Sequence, residues 1–142
     1  MGSKLAIRGE VVMDEKEALF ARYALELSRE VHKALHAMAD GSGFGWFQLK
    51  SNLEGATRSG AYSMSFEARI ETIALTLRTG ETAAPEIIQV SIGSDANWNP
   101  LVSVLSTKTD EAALPVSGVV ATDLPLIESA ARRCLLLMQV GN

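Results

Sequence analysis

The chain contains two histidines, His32 and His36, and their spacing is one that can hold a metal ion. Residues four apart on a helix lie on one face, where two imidazoles can chelate a divalent cation. Lys33 follows the first histidine, where metalloprotease helices carry a glutamate, and the nearest further ligand on that face is Asp40. The pattern therefore favours two histidines at the border of an apolar stripe, and we expect no metal site.

The segment Asp95-x-Asn97-x-Asn99 matches the first three ligand positions of an EF-hand calcium loop. Pro100 then replaces the glycine of the sharp turn, and Ser106 stands where the bidentate glutamate belongs. Asp and Asn side chains that bond to their own backbone explain this composition. We therefore predict a tight turn here and no calcium site.

Cys134 is the single cysteine, so it cannot form a disulfide within the chain. It falls on the apolar stripe of a predicted C-terminal helix with Ile127, Ala131 and Met138, where a thiol is an inert small hydrophobic group. The sequence has no Gly-x-Ser-x-Gly motif and gives no reason to place two carboxylates across a cleft. It therefore predicts no catalytic residue and no cofactor. Enzymatic activity stays open, because distant residues can assemble a site, but the motifs favour a protein that is not an enzyme.

Composition sets the broad class of the protein. The chain has 142 residues and a formal net charge of −4. A surface that follows phosphates needs an excess of Lys and Arg, so nucleic acid is not an expected partner. No apolar run is long enough to span a membrane, so a membrane is not an expected partner either. The length of the chain predicts one domain, residues 1–142. The single cysteine, the absence of an Asn-x-Ser/Thr sequence and the lack of a secretory signal favour the cytoplasm.

A predicted helix from Asp14 to Asp40 organises the chain. Its apolar residues recur at steps of three and four and form one core stripe, since a helix turns once in about 3.6 residues. They are Phe20, Ala24, Leu27, Val31, Leu35 and Met38. Asp14 can cap the N-terminus, and Gly41 stands where a left-handed residue would close the helix. Leu25 lies outside the stripe, so we expect the helix to touch a second surface, either a neighbouring helix or a partner chain.

Alternating sequences after this helix predict strands. Trp46 to Leu53 and Tyr62 to Leu77 are expected to form a hairpin. A slip in the apolar phase predicts a bulge near Glu71 and Thr72, because the apolar face of a strand must stay in the core. A helix over Phe66 to Leu77 is the open alternative, since the same apolar residues also fit helical spacing.

The remaining elements complete a fold of the α+β class. The other predicted segments are strands from Lys4 to Met13, Glu86 to Gly93 and Leu101 to Lys108, a polar loop from Asp110 to Leu114, a short edge strand from Val116 to Ala121, and a helix from Thr122 or Asp123 to about Gln139. We predict a mostly antiparallel sheet of four to six strands. A long helix from the N-terminal half and a C-terminal helix cover it, in the order β-α-β-β-β-β-α.

Five residues are predicted to bind a partner. Trp46 and Trp98 stand beside tight connections, and tryptophan is enriched at interface hot spots. In the last helix Leu136 lies opposite the core stripe and Leu137 lies to one side, so that the helix is apolar on nearly every face. Leu25 is the apolar residue outside the stripe of the long helix. We expect these surfaces to be covered by protein.

The sequence therefore favours a non-enzymatic protein–protein interaction module, such as an inhibitor, an adaptor or a small acidic chaperone. We expect a homodimer that pairs through helix surfaces. One alternative is a small-molecule-binding or enzymatic domain with a pocket between the sheet and the helices. A further alternative is a self-assembling structural subunit, such as a virion part.

Overall fold

A computed structural model describes residues 15–51, 70–80 and 82–140. These residues form two helices and a five-stranded antiparallel sheet, so the predicted α+β class is confirmed. The elements are, in order, α1 (Glu15–Asp40), β1 (Trp46–Ser51), β2 (Ile70–Arg78), β3 (Glu86–Ser94), β4 (Pro100–Ser106), β5 (Thr109–Leu114) and α2 (Val120–Val140). The predictions for Lys4 to Met13, for Asp14 and for Tyr62 to Arg69 lie outside the described residues.

The sheet is a meander in which each strand pairs with the next one in the chain. Successive residues of a strand point to opposite faces, so every second residue of the central strands faces the helices. The buried apolar helix-facing residues of β2, β3 and β4 are Ile73, Leu75, Leu77, Ile88, Val90, Ile92, Val102 and Val104. They form the floor of the hydrophobic core.

Both helices pack on this one face of the sheet. α1 covers β1, β2 and β3, and α2 covers β3, β4 and β5. The predicted core stripe of α1 is confirmed, since every member is buried, and so is the stripe of α2 that contains Cys134. The helices run in the same direction, because Tyr23 bonds to Asp123 near their N-termini and Gln139 bonds to Ser42 near their C-terminal ends.

The register between β2 and β3 is unbroken from Ile70 to Leu77. The predicted bulge near Glu71 and Thr72 is therefore wrong, and the described part of the segment is strand rather than helix. Because the register continues, Glu71 falls on the helix-facing side of the sheet and is only 5% exposed. The sheet takes up an irregularity elsewhere, at the pairing of β4 with β5.

Two predictions near the C-terminal helix are also wrong. Asp110 to Leu114, predicted as a loop, lies within β5, and Val116 to Ala121 leads into α2 without forming a strand. A polar segment can form an edge strand because backbone pairing with β4 and not side-chain burial stabilises it. α2 begins at Val120, ahead of the predicted cap, because the Asp123 side chain bonds back to the loop that precedes the helix.

The C-terminus of α1 is capped differently from the prediction. Ser42 Oγ donates a hydrogen bond to the backbone carbonyl of Ala39 at 2.7 Å, which satisfies one of the free carbonyls of the last turn. Gly41 does not adopt the left-handed conformation; within the described residues the glycines with positive φ are Gly43 and Gly118. The glycine-rich segment thus turns the chain toward β1 two residues later than predicted.

Candidate interaction surfaces

A buried carboxylate, Asp123, joins the N-terminal ends of the two helices. It accepts hydrogen bonds from Tyr23 Oη at 2.7 Å and from the backbone N–H groups of Ser117 at 2.8 Å and Gly118 at 2.9 Å. Ser117 Oγ donates a further bond at 2.9 Å. Burial works against ionisation, but these hydrogen bonds outweigh it and lower the pKa of Asp123 below its ordinary value. The network fixes α1, α2 and the loop before α2 in one arrangement.

Tyr23 is the side-chain donor from α1 in this network. Burial, followed by the hydrogen bond and the negative charge of Asp123, raises the pKa of the Tyr23 phenol far above its ordinary value. Sequence analysis did not single out this pair. Tyr23 stands beside the core stripe of α1, and Asp123 resembled a simple helix cap. Neither residue alone therefore indicated a buried hydrogen bond between the helices. Nothing in the sequence indicated that the two would meet.

Asp95 organises the turn between β3 and β4, and the predicted tight turn is confirmed. Its Oδ1 accepts hydrogen bonds from the backbone N–H groups of Asn97 at 2.8 Å and Asn99 at 2.9 Å, and its Oδ2 accepts one from the Asn99 amide at 3.0 Å. The turn holds Trp98 at a φ of 65°, a left-handed conformation that bulky residues rarely adopt. Hydrogen bonds to Asp95 offset this backbone strain.

Trp98 borders an open cavity of about 160 Å³ at the N-terminal ends of the helices. Its ring lies against Phe20, with the centroids 5.8 Å apart, and it is half-buried. The other residues that line the cavity are Lys16, Leu19, Tyr23, Asn99, Pro100 and Gly118. We name it the aromatic cavity. Trp98, a predicted partner-binding residue, therefore lies at the rim of an apolar depression.

A second apolar surface lies at the C-terminal ends of the helices. An open cavity of about 310 Å³ is lined by residues of both helices there, and we name it the helix groove. Its lining residues are Ala37, Met38, Gly41, Arg132, Leu135, Leu136 and Gln139. Leu136 is 59% exposed, Leu137 is 48% exposed and Val140 is 83% exposed. The two leucines predicted to face outward therefore remain uncovered by the described part of the chain, in or beside this groove.

The other two predicted partner-binding residues lie apart from the groove. Trp46 begins β1 and points away from the helices, and the guanidinium carbon of Arg78 lies 4.9 Å from its ring centroid. Leu25 is half-buried in the middle of α1. The structure therefore brings Leu136 and Leu137 together but does not join them to the tryptophans or to Leu25.

The residues that were considered for metal binding and catalysis have structural contacts. The ring of His36 meets Phe47 edge-on, with the centroids 5.3 Å apart. The buried thiol of Cys134 lies 3.5 Å from Thr109 Oγ1. In the described ranges no three His, Cys, Asp or Glu side chains are grouped so that they could hold a metal ion.

Comparisons with protein families, with characterised proteins and with solved structures find no match for the chain. Among the described residues, no helix is both long enough and apolar enough to cross a membrane.

Proposed function

We propose that this protein is a non-enzymatic protein-binding module, of the inhibitor, adaptor or small acidic chaperone type, that binds an amphipathic helix of a partner in the helix groove. The observation that carries the proposal is the exposure of Leu136 and Leu137 beside an apolar cavity between two parallel helices. Laying the apolar face of a helix into such a groove is a recurrent mode of peptide recognition.

The exposed apolar residues of α2 form one patch. Leu136, Leu137 and Val140 fall within about one helical turn, so their side chains are neighbours on the surface. Single exposed leucines are common and need no explanation, whereas contiguous exposed apolar surface marks interaction sites. Burial of a leucine stabilises a complex by about 1.5–3 kcal/mol, so covering this patch supplies a substantial part of a micromolar affinity.

The charges beside the groove indicate the chemistry of the partner. Arg132 lines the groove, and Arg133 follows it on the same helix. Charged residues at the rim of an interface select partners of the opposite sign and accelerate association. A helix with an apolar face and acidic flanks fits this groove better than one with basic flanks.

Two synthetic helical peptides with the same apolar face, one with Glu flanks and one with Lys flanks, test the proposal. We expect fluorescence anisotropy to give a micromolar Kd for the acidic peptide and a Kd at least about tenfold weaker for the basic one. Leu136→Glu places a carboxylate in the groove and should abolish binding. Arg132→Glu should reverse the preference between the peptides.

Leu19→Glu is the matched control, because Leu19 is a 60% exposed leucine on the other helix and lines the aromatic cavity at the opposite end of the molecule. It should bind the acidic peptide as the wild type does. Two results would show that the groove is not the binding surface. One is that neither peptide binds the wild type, and the other is that Leu136→Glu binds each peptide with the same Kd as the wild type does.

The aromatic cavity supports a second candidate function, the binding of a small apolar molecule. The specific observation is the left-handed Trp98, since strained residues held by their surroundings are concentrated at functional sites. A thermal-shift screen of apolar metabolites against the wild type and Trp98→Ala tests it. A compound that raises the Tm of the wild type alone supports this candidate, and no shift with any compound contradicts it.

A further inference from the structure

The face of the sheet that points away from both helices is named the outer face, and the described residues place no charged side chain at its centre. The outward residues at the centre of β2, β3 and β4 are Thr72, Ala74, Thr76, Ile87, Gln89, Ser91, Leu101, Ser103 and Leu105. All of them are partly or largely exposed, whereas the helix-facing residues of the same strands are buried. The centre of a protein interface is depleted of charge in the same way.

Charges of opposite sign stand at the two edges of this face, at the same level of the sheet. One row across the sheet consists of Lys50, Ala74, Gln89 and Leu105, each the register partner of the next. On β5 this row meets an irregularity, where Asp110 and Glu111 lie between the pairs Val104–Ala112 and Ser106–Thr109, opposite Leu105. Glu111 lies on the outer face, because Ser103 Oγ donates a hydrogen bond to its Oε2 at 2.6 Å. Four strand spacings, about 19 Å, separate the Lys50 and Glu111 strands, so the two charges are too far apart to pair within one chain.

We propose that the outer face is the contact between two copies of this chain, packed sheet on sheet about a twofold axis roughly parallel to the strands. Rotation about such an axis places β1 of one copy over β5 of the other. Lys50 then opposes Glu111 of the partner subunit, and the symmetry forms this pair twice. A twofold axis across the strands would instead bring like charges together, β1 over β1. Aligned packing of two sheets is an established arrangement, with their inner faces about 10 Å apart.

The size of the outer face suits a dimer of moderate affinity. Five strands of about seven residues cover an area roughly 24 Å wide and 23 Å long, so that two faces bury about 1,100 Å² in projection. Specific complexes begin at about 1,200 Å² of accessible surface, which exceeds the projected area because side chains corrugate the face. The stacked Trp46 and Arg78 at one corner are of the residue types that dominate interface energies. We expect a Kd in the micromolar range.

This surface is independent of the helix groove, which lies on the opposite side of the molecule. The sequence-based expectation placed the homodimer on helix surfaces, with Leu136 as its probe. Pairing through the outer face leaves the groove open for the partner helix proposed above. The two surfaces are therefore tested by different variants, and failure of one leaves the other unaffected.

Gln89→Glu is the central probe, measured by sedimentation equilibrium of the full chain between 1 and 200 µM. β3 is the middle strand, so the axis passes over it and the two Gln89 side chains approach each other. The substitution is isosteric on a partly exposed residue, and it sets two carboxylates face to face. We expect the wild type to be a dimer and Gln89→Glu to dimerise at least about thirtyfold more weakly. Gln139→Glu, the same change on α2, should leave the Kd unchanged, as should Leu136→Glu.

A charge reversal tests the orientation of the copies. Lys50→Glu and Glu111→Lys should each weaken the dimer by about tenfold, because each turns two attractions into two repulsions. The double variant restores both pairs and should return to within about threefold of the wild type. The proposal is overturned by a wild type that is monomeric at 200 µM, by a dimer that Leu136→Glu but not Gln89→Glu dissociates, or by a double variant weaker than both single ones.

Discussion

The two ends of the helix pair are held together in different ways. At the N-terminal ends, the fully buried carboxylate of Asp123 links Tyr23 of α1 to the loop before α2 through several hydrogen bonds. At the C-terminal ends, Gln139, an exposed residue, donates a hydrogen bond to the Ser42 carbonyl beside an open groove. The first end is held by several hydrogen bonds to one buried carboxylate, whereas the second is held by a single bond from an exposed side chain, so we expect the second end to repack more readily. Binding surfaces are commonly drawn from the less stable parts of a fold.

Asp123→Ala should have the largest effect, because it removes the acceptor for every donor in the network. The buried Tyr23 hydroxyl would then lack an acceptor, and the N–H groups of Ser117 and Gly118, which belong to exposed residues, would lose the bonds that hold the loop to the helix. We expect the free energy of unfolding to fall by about 3 kcal/mol, the cost of breaking a buried network, as measured by urea denaturation. Asp40→Ala, an exposed carboxylate at the other end of α1, should change it by less than about 0.5 kcal/mol. Equal effects of the two variants would show that the N-terminal end is not the fixed one.

The stabilisation that Asp123 gives to the N-terminal ends of the helices depends on pH. The folded state lowers the pKa of Asp123, so its stabilising contribution is complete above the unfolded value of about 3.9 and is lost as the pH falls through the folded value. The stability difference between the wild type and Asp123→Asn should therefore be constant from pH 7 to pH 5 and narrow below about pH 4. Urea midpoints at each pH measure it. A difference that persists unchanged to pH 2.5 would mean that the charge of Asp123 contributes nothing.

Local patterns in the sequence predicted the part of this architecture that local forces determine. The core stripe of α1 from Phe20 to Met38 and the outward position of Leu136 follow from helical periodicity alone. The pairing of Tyr23 with Asp123 spans 100 residues and depends on how the helices are placed on the sheet, which no periodicity encodes. The strand β5 was missed for the same reason, because its backbone hydrogen bonds to β4 override a polar composition that is typical of a loop.

Glu71 shows that the register of a strand decides whether a carboxyl group is buried or exposed. The predicted bulge would have turned its side chain to solvent, but the unbroken register of β2 buries it, and burial raises the pKa of its carboxyl. A raised folded pKa means that the ionised form destabilises the folded state at neutral pH. Glu71→Gln should therefore raise the free energy of unfolding at pH 7 by about 1 kcal/mol, and this gain should vanish below about pH 4, where the carboxyl is protonated in both states.

Glu26→Gln is the control for that measurement, since Glu26 is exposed on α1 and should change the stability by less than about 0.5 kcal/mol. A loss of stability in Glu71→Gln at pH 7 would show that the carboxylate is stabilised in the fold and would contradict the direction of its pKa shift.

Gln139→Ala should have the smallest effect, and it tests the C-terminal end directly. It removes the 2.8 Å hydrogen bond to the Ser42 carbonyl, but water can replace the lost donor because the Gln139 side chain is exposed. We expect the free energy of unfolding to fall by about 0.5 kcal/mol. Tyr23→Phe also removes one hydrogen bond between the helices, but it should lower the free energy of unfolding by about 1.5 kcal/mol, because it leaves the buried Asp123 carboxylate with one donor fewer. Native-state hydrogen exchange separates the two cases. In Gln139→Ala the amides of the last turn of α2 should exchange faster while those around Asp123 keep their protection. Faster exchange at both ends would mean that the helices open as one unit and that the groove cannot repack independently of the network.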